Sequence, residues 1–289
     1  MSLFDQIQEC VSFISKRTDF KPEVGIILGT GLSGLAQDIE VEREFNYGLL
    51  PYFPATTVTS HIGRLILGTL NGVPIVAMAG RFHYYEGYSM QQVTFPVRVM
   101  KGLGVRSLII SNAAGSVNAN IEAGDVVFVK DHINLQPDNP LRGDNDERIG
   151  PRFPDMLHTY DRDSNAFGLE IAESCGLKAH EGVYLAIPGP NLETPAEYNF
   201  AHIIGADLIG MSTVPEVLVA KHMELPVLVI SVVSNKCYPI EEITPTTVED
   251  VIATVAKVEP CMRNLMPQVV KYQHQRFADS QKRESRLSR

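Results

Sequence analysis

Val73-Pro74-Ile75-Val76-Ala77-Met78-Ala79-Gly80-Arg81-Phe82-His83-Tyr84-Tyr85-Glu86-Gly87-Tyr88 is the stretch on which the fold turns. Its first seven residues form a short apolar run, which predicts a buried strand. The segment from Gly80 to Tyr88 does not build core. Arginine and glutamate are costly to bury unless they are paired or bound to something. The cluster offers a planar anion fork, an imidazole, phenols and a carboxylate. Ligands of open α/β sheets sit at the carboxyl ends of strands, so the stretch predicts an anionic, hydroxylated small molecule at this strand end. The plainer reading of the same residues is a surface loop with a chance charge pair.

Working outward, Asn71-Gly72 before the strand is a hairpin signal that joins it to a strand over Arg64–Leu70. Further strands are expected at Val24–Leu28, 107–111, 126–130, 182–187, 208–211 and 226–233. Helices are expected at 3–17, just past the glycines at 29–34, and at 91–103, 164–175, 195–204, 214–223 and 247–272. Strands alternating with helices predict an α/β fold with a mixed, largely parallel central sheet flanked by helices on both faces. No repeat or linker interrupts it, so residues 1–272 read as one domain, followed by a polar, frayed tail at 273–289. Residues 134–158 hold four prolines, many charges and no period; a loop that long is usually functional or an interface element.

The formal net charge of −9 argues against a nucleic-acid polymer as partner. The four cysteines, Cys10, Cys175, Cys237 and Cys261, are widely spaced; they suggest neither a disulfide framework nor a zinc site, but reduced thiols in a cytoplasmic protein. No signal peptide or membrane-length apolar run is evident.

Gly29-Thr30-Gly31-Leu32-Ser33-Gly34 fits the dinucleotide fingerprint. The strand and ribose-binding acid that should come next are missing from Tyr47–Pro54, so no dinucleotide cofactor is expected. Backbone N–H groups and a helix start can hold a single phosphate equally well. Other strand ends carry Ser60-His61-Ile62-Gly63-Arg64, Asn112-Ala113-Ala114-Gly115, Gly189-Pro190-Asn191-Leu192-Glu193-Thr194, Gly210-Met211-Ser212-Thr213-Val214-Pro215-Glu216 and Ser234-Asn235-Lys236. Each alone is weak. In this order, with Thr94-Phe95-Pro96-Val97-Arg98, Lys130-Asp131-His132-Ile133-Asn134 and Asn139-Pro140-Leu141-Arg142-Gly143, they are specific.

Over about residues 20–272 the chain resembles the trimeric, low-molecular-mass purine nucleoside phosphorylases. The resemblance implies the nucleoside phosphorylase fold and phosphorolysis of 6-oxopurine (deoxy)ribonucleosides, inosine or guanosine, in purine salvage. Phosphate would be a co-substrate, with no cofactor and no metal. Thr30, His61, Arg81, the Ala113 N–H and Ser212 match the phosphate ligands; such a set suits a tetrahedral dianion. His83, Tyr85 and Met211 match sugar-holding positions, with Glu86 supporting His83. Asn112 and Tyr184 match nucleoside-side positions. Phe153, in Arg152-Phe153-Pro154, matches a residue that reaches the neighbouring subunit's sugar, which implies a homotrimer with shared sites. Glu193 and Asn235 match the base readers: a carboxylate accepts the ring N1–H of a 6-oxopurine, and the amide donates to N7 and the 6-oxo group as charge builds on the leaving base.

Two positions depart from the animal pattern. Leu192 stands where a phenylalanine often packs on the base, and Val248 where many members place a histidine on the 5′-hydroxyl. A methylthioadenosine phosphorylase is the nearest alternative, although such enzymes usually carry an acid at the place of Asn235. From another class, a non-catalytic nucleoside-binding protein is opposed by intact Arg81, His83, Glu86, Glu193 and Asn235. A Rossmann dinucleotide-binding protein is opposed by the missing ribose acid.

Overall fold

The computed structural model of the chain describes residues 1–30, 32–55 and 63–287. His61 and Gly31 of the expected phosphate site lie outside the described residues. The strands are β1 (Val24–Leu28), β2 (Glu40–Asn46), β3 (Arg64–Leu70), β4 (Val73–Ala79), β5 (Ser107–Ser116), β6 (Val126–Asn134), β7 (Ala179–Ala186), β8 (Leu208–Gly210) and β9 (Val227–Lys236). The helices are α1 (Leu3–Ser15), α2 (Met90–Leu103), α3 (Arg162–Ala172), α4 (Pro195–Ile203), α5 (Val214–His222) and α6 (Val248–Leu287). The α/β fold with a mixed sheet is as expected.

Asn71 and Gly72 take φ of 52° and 75°, the pair of left-handed conformations a type I′ turn needs, and Leu70 then pairs with Val73 across the β3–β4 hairpin. β4, β1, β5 and β9 run parallel as neighbours. Beyond β5 the sheet curls: β5 pairs β8, β8 pairs β7, β7 pairs β6, β6 pairs β9, and β9 returns to β5. This closed ring leaves no free edge on that side.

Period-two alternation splits the core between two faces. Ile27 and Val76 pack with α1, α2 and α5 through Ile14, Val97, Met100 and Val217. Ile26, Leu28, Ile75 and Ala77 pack against α6 through Met262, Met266 and Val269.

β2 is absent from the sequence expectations because Glu40-Val41-Glu42-Arg43-Glu44-Phe45-Asn46 buries only Phe45. It is an edge strand protected by its charges. The helix expected after the glycines is a six-residue 3-10 turn, Ser33–Asp38, too short to supply the helix-end field invoked for phosphate. α6 continues past the expected boundary at 272. Gln273 is buried and donates from Nε2 to Ser164 Oγ at 3.3 Å, and Arg276 donates to the Asp161 carboxylate at 2.7 Å. Among the described residues no helix is long and apolar enough to cross a membrane.

Candidate active site

β4, β1, β5 and β9 end on the same side, and their carboxyl ends deliver the site. Arg81 follows β4, Thr30 follows β1, Asn112 and Ala113 close β5, and Asn235 closes β9. β8 meets β5 at Gly115 and Ser116 and so brings Met211 and Ser212 to the same place. These residues, with His83, Tyr85, Leu192, Glu193 and Val248, line one cavity of about 700 Å³. Hollows of about 660 Å³ beside Lys221 and Arg276 and about 840 Å³ beside Asp38 and Arg263 lie away from these strand ends.

The cationic end is built on Arg81, which is 2 % exposed. Its NH1 donates to Ser212 Oγ and Thr213 Oγ1, both at 3.0 Å, and its NH2 donates to Ser111 O. Glu216 Oε1 lies 3.7 Å away, so the buried charge has a buried counter-ion. The Arg81 Nε–H has no partner among the described residues. Ser111 also accepts the Gly29 N–H at 3.3 Å, tying the glycine turn to β5.

Thr213 holds this arrangement under strain. Its φ of 74° and ψ of −55°, with Val214 N–H donating to Ser212 O at 2.8 Å, describe the rare positive-φ γ-turn. A β-branched residue there costs about 1–3 kcal/mol and persists only where its surroundings impose it. The reason is visible: the turn aims Oγ1 at Arg81 and at Asn112 Nδ2, which donates to it at 3.0 Å.

His83 Nδ1–H faces Glu86 Oε1 at 2.9 Å, and the same oxygen accepts the His83 backbone N–H at 2.8 Å. That partner selects the tautomer and fixes the ring plane. The ring stacks on Tyr85 at 4.6 Å between centroids. Burial pushes the Tyr85 phenol up to about 12, so it stays a neutral donor at working pH.

At the other end stand Glu193 and Asn235. Burial raises the Glu193 carboxyl above its ordinary value, against opposing hydrogen bonds from its own backbone and Tyr198. Asn235 Oδ1 accepts from Ser234 Oγ–H at 2.6 Å, and its Nδ2 donates to Cys237 Sγ at 3.1 Å. One end of the cavity therefore favours an anion, and the other presents a carboxylate and a carboxamide side by side.

Residues 23–271 match the Phosphorylase superfamily. Purine nucleoside phosphorylase 1 of Bacillus subtilis (strain 168) is 46% identical over 266 residues, 92% of this chain and 98% of that protein. The chain belongs to the purine nucleoside phosphorylase family. The structure of isoform 2 of Schistosoma mansoni purine nucleoside phosphorylase, solved with cytosine and ribose-1-phosphate, aligns with a TM-score of 0.88 at 39% identity, over 92% of this chain and 96% of that one. The S. mansoni enzyme solved with adenosine aligns at 0.86 and 40% identity over the same shares, 92% and 96%.

In this family member Thr30, Arg81, His83, Tyr85, Asn112, Ala113, Leu192, Glu193, Met211, Ser212, Asn235 and Val248 all line the one cavity. Others do not line the cavity. Glu86 stands behind His83. Tyr184 is fully buried beneath the floor: a Cβ on Gly210 would collide with its hydroxyl, so the ring supports β8 rather than facing the cavity. Phe153 is 87% exposed on the long loop. Sequence reasoning gave no role to Thr213, Glu216, Tyr198 or Cys237. Glu216 had a signal, since it is a lone carboxylate in the apolar run Val214-Pro215-Glu216-Val217-Leu218-Val219-Ala220. Tyr198 and Cys237 had none, because only folding brings α4 against the end of β9.

Proposed function

We propose that this chain catalyses the reversible phosphorolysis of 6-oxopurine (deoxy)ribonucleosides, inosine and guanosine, to free base and (deoxy)ribose 1-phosphate. The observation that carries the proposal is a single cavity holding both the buried Arg81 fork with Ser212 and the Glu193–Asn235 pair. Ribose-1-phosphate in the S. mansoni relative supports the same reaction class. A phosphate oxygen attacks the anomeric carbon as the bond to the purine nitrogen breaks. The bonding electron pair passes to the purine, and the proton of hydrogen phosphate ends on the released base. Arg81, Ser212, Thr30, His61 and the Ala113 N–H hold phosphate; His83, Tyr85 and Met211 hold the sugar; Asn235 donates to the purine as it gains charge; Glu193 accepts its N1–H. Val248, 66% exposed at the cavity wall, gives the 5′ end an apolar contact only.

The reaction class is tested by incubating inosine with the protein in phosphate-free buffer and then adding phosphate. Hypoxanthine is expected only after addition; an undiminished rate without phosphate would make the protein a hydrolase.

We further propose a homotrimer whose interfaces complete the sites. Phe153 and Leu157, exposed on the irregular loop, motivate it. Light scattering is expected to give three times the 31.9 kDa chain mass. A fully active monomer would end this idea.

A further inference from the structure

Glu193 and Asn235 are joined by two side chains with no assigned role. Tyr198, on the first turns of α4, lines the cavity together with Glu193, Asn235 and Cys237, and its hydroxyl lowers both the Glu193 carboxyl and the Cys237 thiol against the upward push of burial. Cys237 is 1% exposed, its backbone N–H donates to Ser116 O at 2.7 Å, and its Sγ accepts from Asn235 Nδ2 at 3.1 Å. The thiol has little room to swing away, since a Cβ on Gly115 would lie 2.6 Å from it.

We infer that Tyr198 and Cys237 are positioning residues that tie the orientation of the Asn235 carboxamide to the charge on Glu193. The inference rests on the base-reading roles proposed above. An ionised carboxylate only accepts, so the Tyr198 O–H must point to Glu193. The Tyr198 oxygen is then left to draw the Cys237 S–H away from the Asn235 carbonyl, 3.9 Å from the sulfur, and the sulfur accepts the Asn235 N–H. One polarity runs through the chain, each bond strengthening the next. It leaves Oδ1 to Ser234 and fixes which amide edge meets the base. Burial pushes the thiol up to about 12, so it keeps the proton it donates. A thiol is also a weak acceptor, so it orients Nδ2 without competing strongly with a purine nitrogen for its second hydrogen. When Glu193 is protonated it can donate, the chain can reverse, and the amide can turn over. The two readers then change sense together, from a 6-oxopurine edge toward a 6-aminopurine edge. The groups facing Glu193 are Glu197 and Tyr198 of α4, Cys237 beyond β9, and, lining the same cavity, Arg81, His83 and Tyr85.

The test compares kcat/KM for inosine and adenosine across pH in the wild type, Tyr198→Phe, Cys237→Val and Cys237→Ser. Tyr198→Phe and Cys237→Val are each expected to lower the preference for inosine by about tenfold, the scale of one neutral hydrogen bond. Both should also raise the pH at which inosine turnover falls on the acid side. Cys237→Ser restores a donor and acceptor and is expected to keep most of the preference. The KM for phosphate should stay within about twofold throughout, since one hydrogen bond remote from the anion is altered. Unchanged preference and acid limb in Tyr198→Phe and Cys237→Val would overturn the inference, as would a parallel loss of phosphate affinity, which marks a packing defect. If Cys237→Val does not fold, Tyr198→Phe decides. A wild type that does not discriminate the nucleosides refutes the base-reading proposal and this inference with it; a discriminating wild type with inert variants refutes the inference alone.

Discussion

Arg81→Lys is expected to lower kcat/KM for phosphate by at least a hundredfold while leaving nucleoside binding in the absence of phosphate within about threefold. Lysine keeps the charge that compensates buried Glu216, so the fold has no orphaned carboxylate. Arg81→Ala would leave one, at a cost of about 3–5 kcal/mol, and is the poorer probe. What lysine cannot reproduce is the fork. NH1 reaches Ser212 and Thr213 while NH2 holds Ser111 O, leaving Nε–H with no partner among the described residues. Those bonds set the plane in which the guanidinium can meet an oxyanion bidentately. A charged hydrogen bond contributes about 1.5–3 kcal/mol, and about 2.7 kcal/mol is a hundredfold. Steady-state kinetics with phosphate varied at saturating inosine, beside a thermal melt, separates the outcomes. Unchanged phosphate kinetics would remove Arg81 from the anion site, and a collapsed melting temperature would mean that lysine does not satisfy Glu216.

The strand ends explain how far the sequence could be read. The apolar runs at 107–111 and 226–233 mark β5 and β9 correctly but stop short. The strands run on through Asn112–Ser116 and Ser234–Lys236, because β5 and β9 continue to pair with each other there and β8 adds to Gly115 and Ser116. Hydrophobic pattern fades where the ligand-facing residues begin, so the same residues that made the site conspicuous hid the last turns of pleat. β2 fails the opposite way: six exposed positions around Phe45 give no period to read. The glycine turn was legible as a close-approach element, yet a short 3-10 turn follows it, and the cationic end of the cavity rests on Arg81, which the strained Thr213 holds in place. That strain is a property of the folded γ-turn, and no spacing in Met211-Ser212-Thr213-Val214 announces it. Cys237 makes no CxxC pair and reads as an ordinary buried thiol until Asn235 and Tyr198 are seen beside it.

Asn235→Ala is expected to reduce kcat for inosine by about 10²–10³, the range for removing one donor aimed at charge that develops in the transition state, with the KM for phosphate little altered. The amide already has its oxygen held by Ser234 and one hydrogen directed at Cys237, so it costs little reorganisation when the purine gains electrons. Because the donor matters most as the bond breaks, the loss should fall on kcat more than on KM. Base selection needs both readers. Leaving a buried polar group facing a like partner costs about 1–3 kcal/mol, more when it is charged, so inosine should be preferred to adenosine by more than about a hundredfold. Adenosine in the structure of an S. mansoni relative makes it the nucleoside to compare. Asn235→Asp, which puts an acceptor opposite the 6-amino group, should move the preference toward adenosine. The preference should also depend on pH with a definite sign. Burial raises the Glu193 carboxyl, and only its ionised form accepts the N1–H of a 6-oxopurine. Inosine efficiency therefore falls as pH drops through that raised value, while the protonated form can donate to the N1 lone pair of adenine, so the ratio narrows in acid. Equal efficiency on both nucleosides at neutral pH, or a ratio that widens in acid, would show that Glu193 and Asn235 do not read the base.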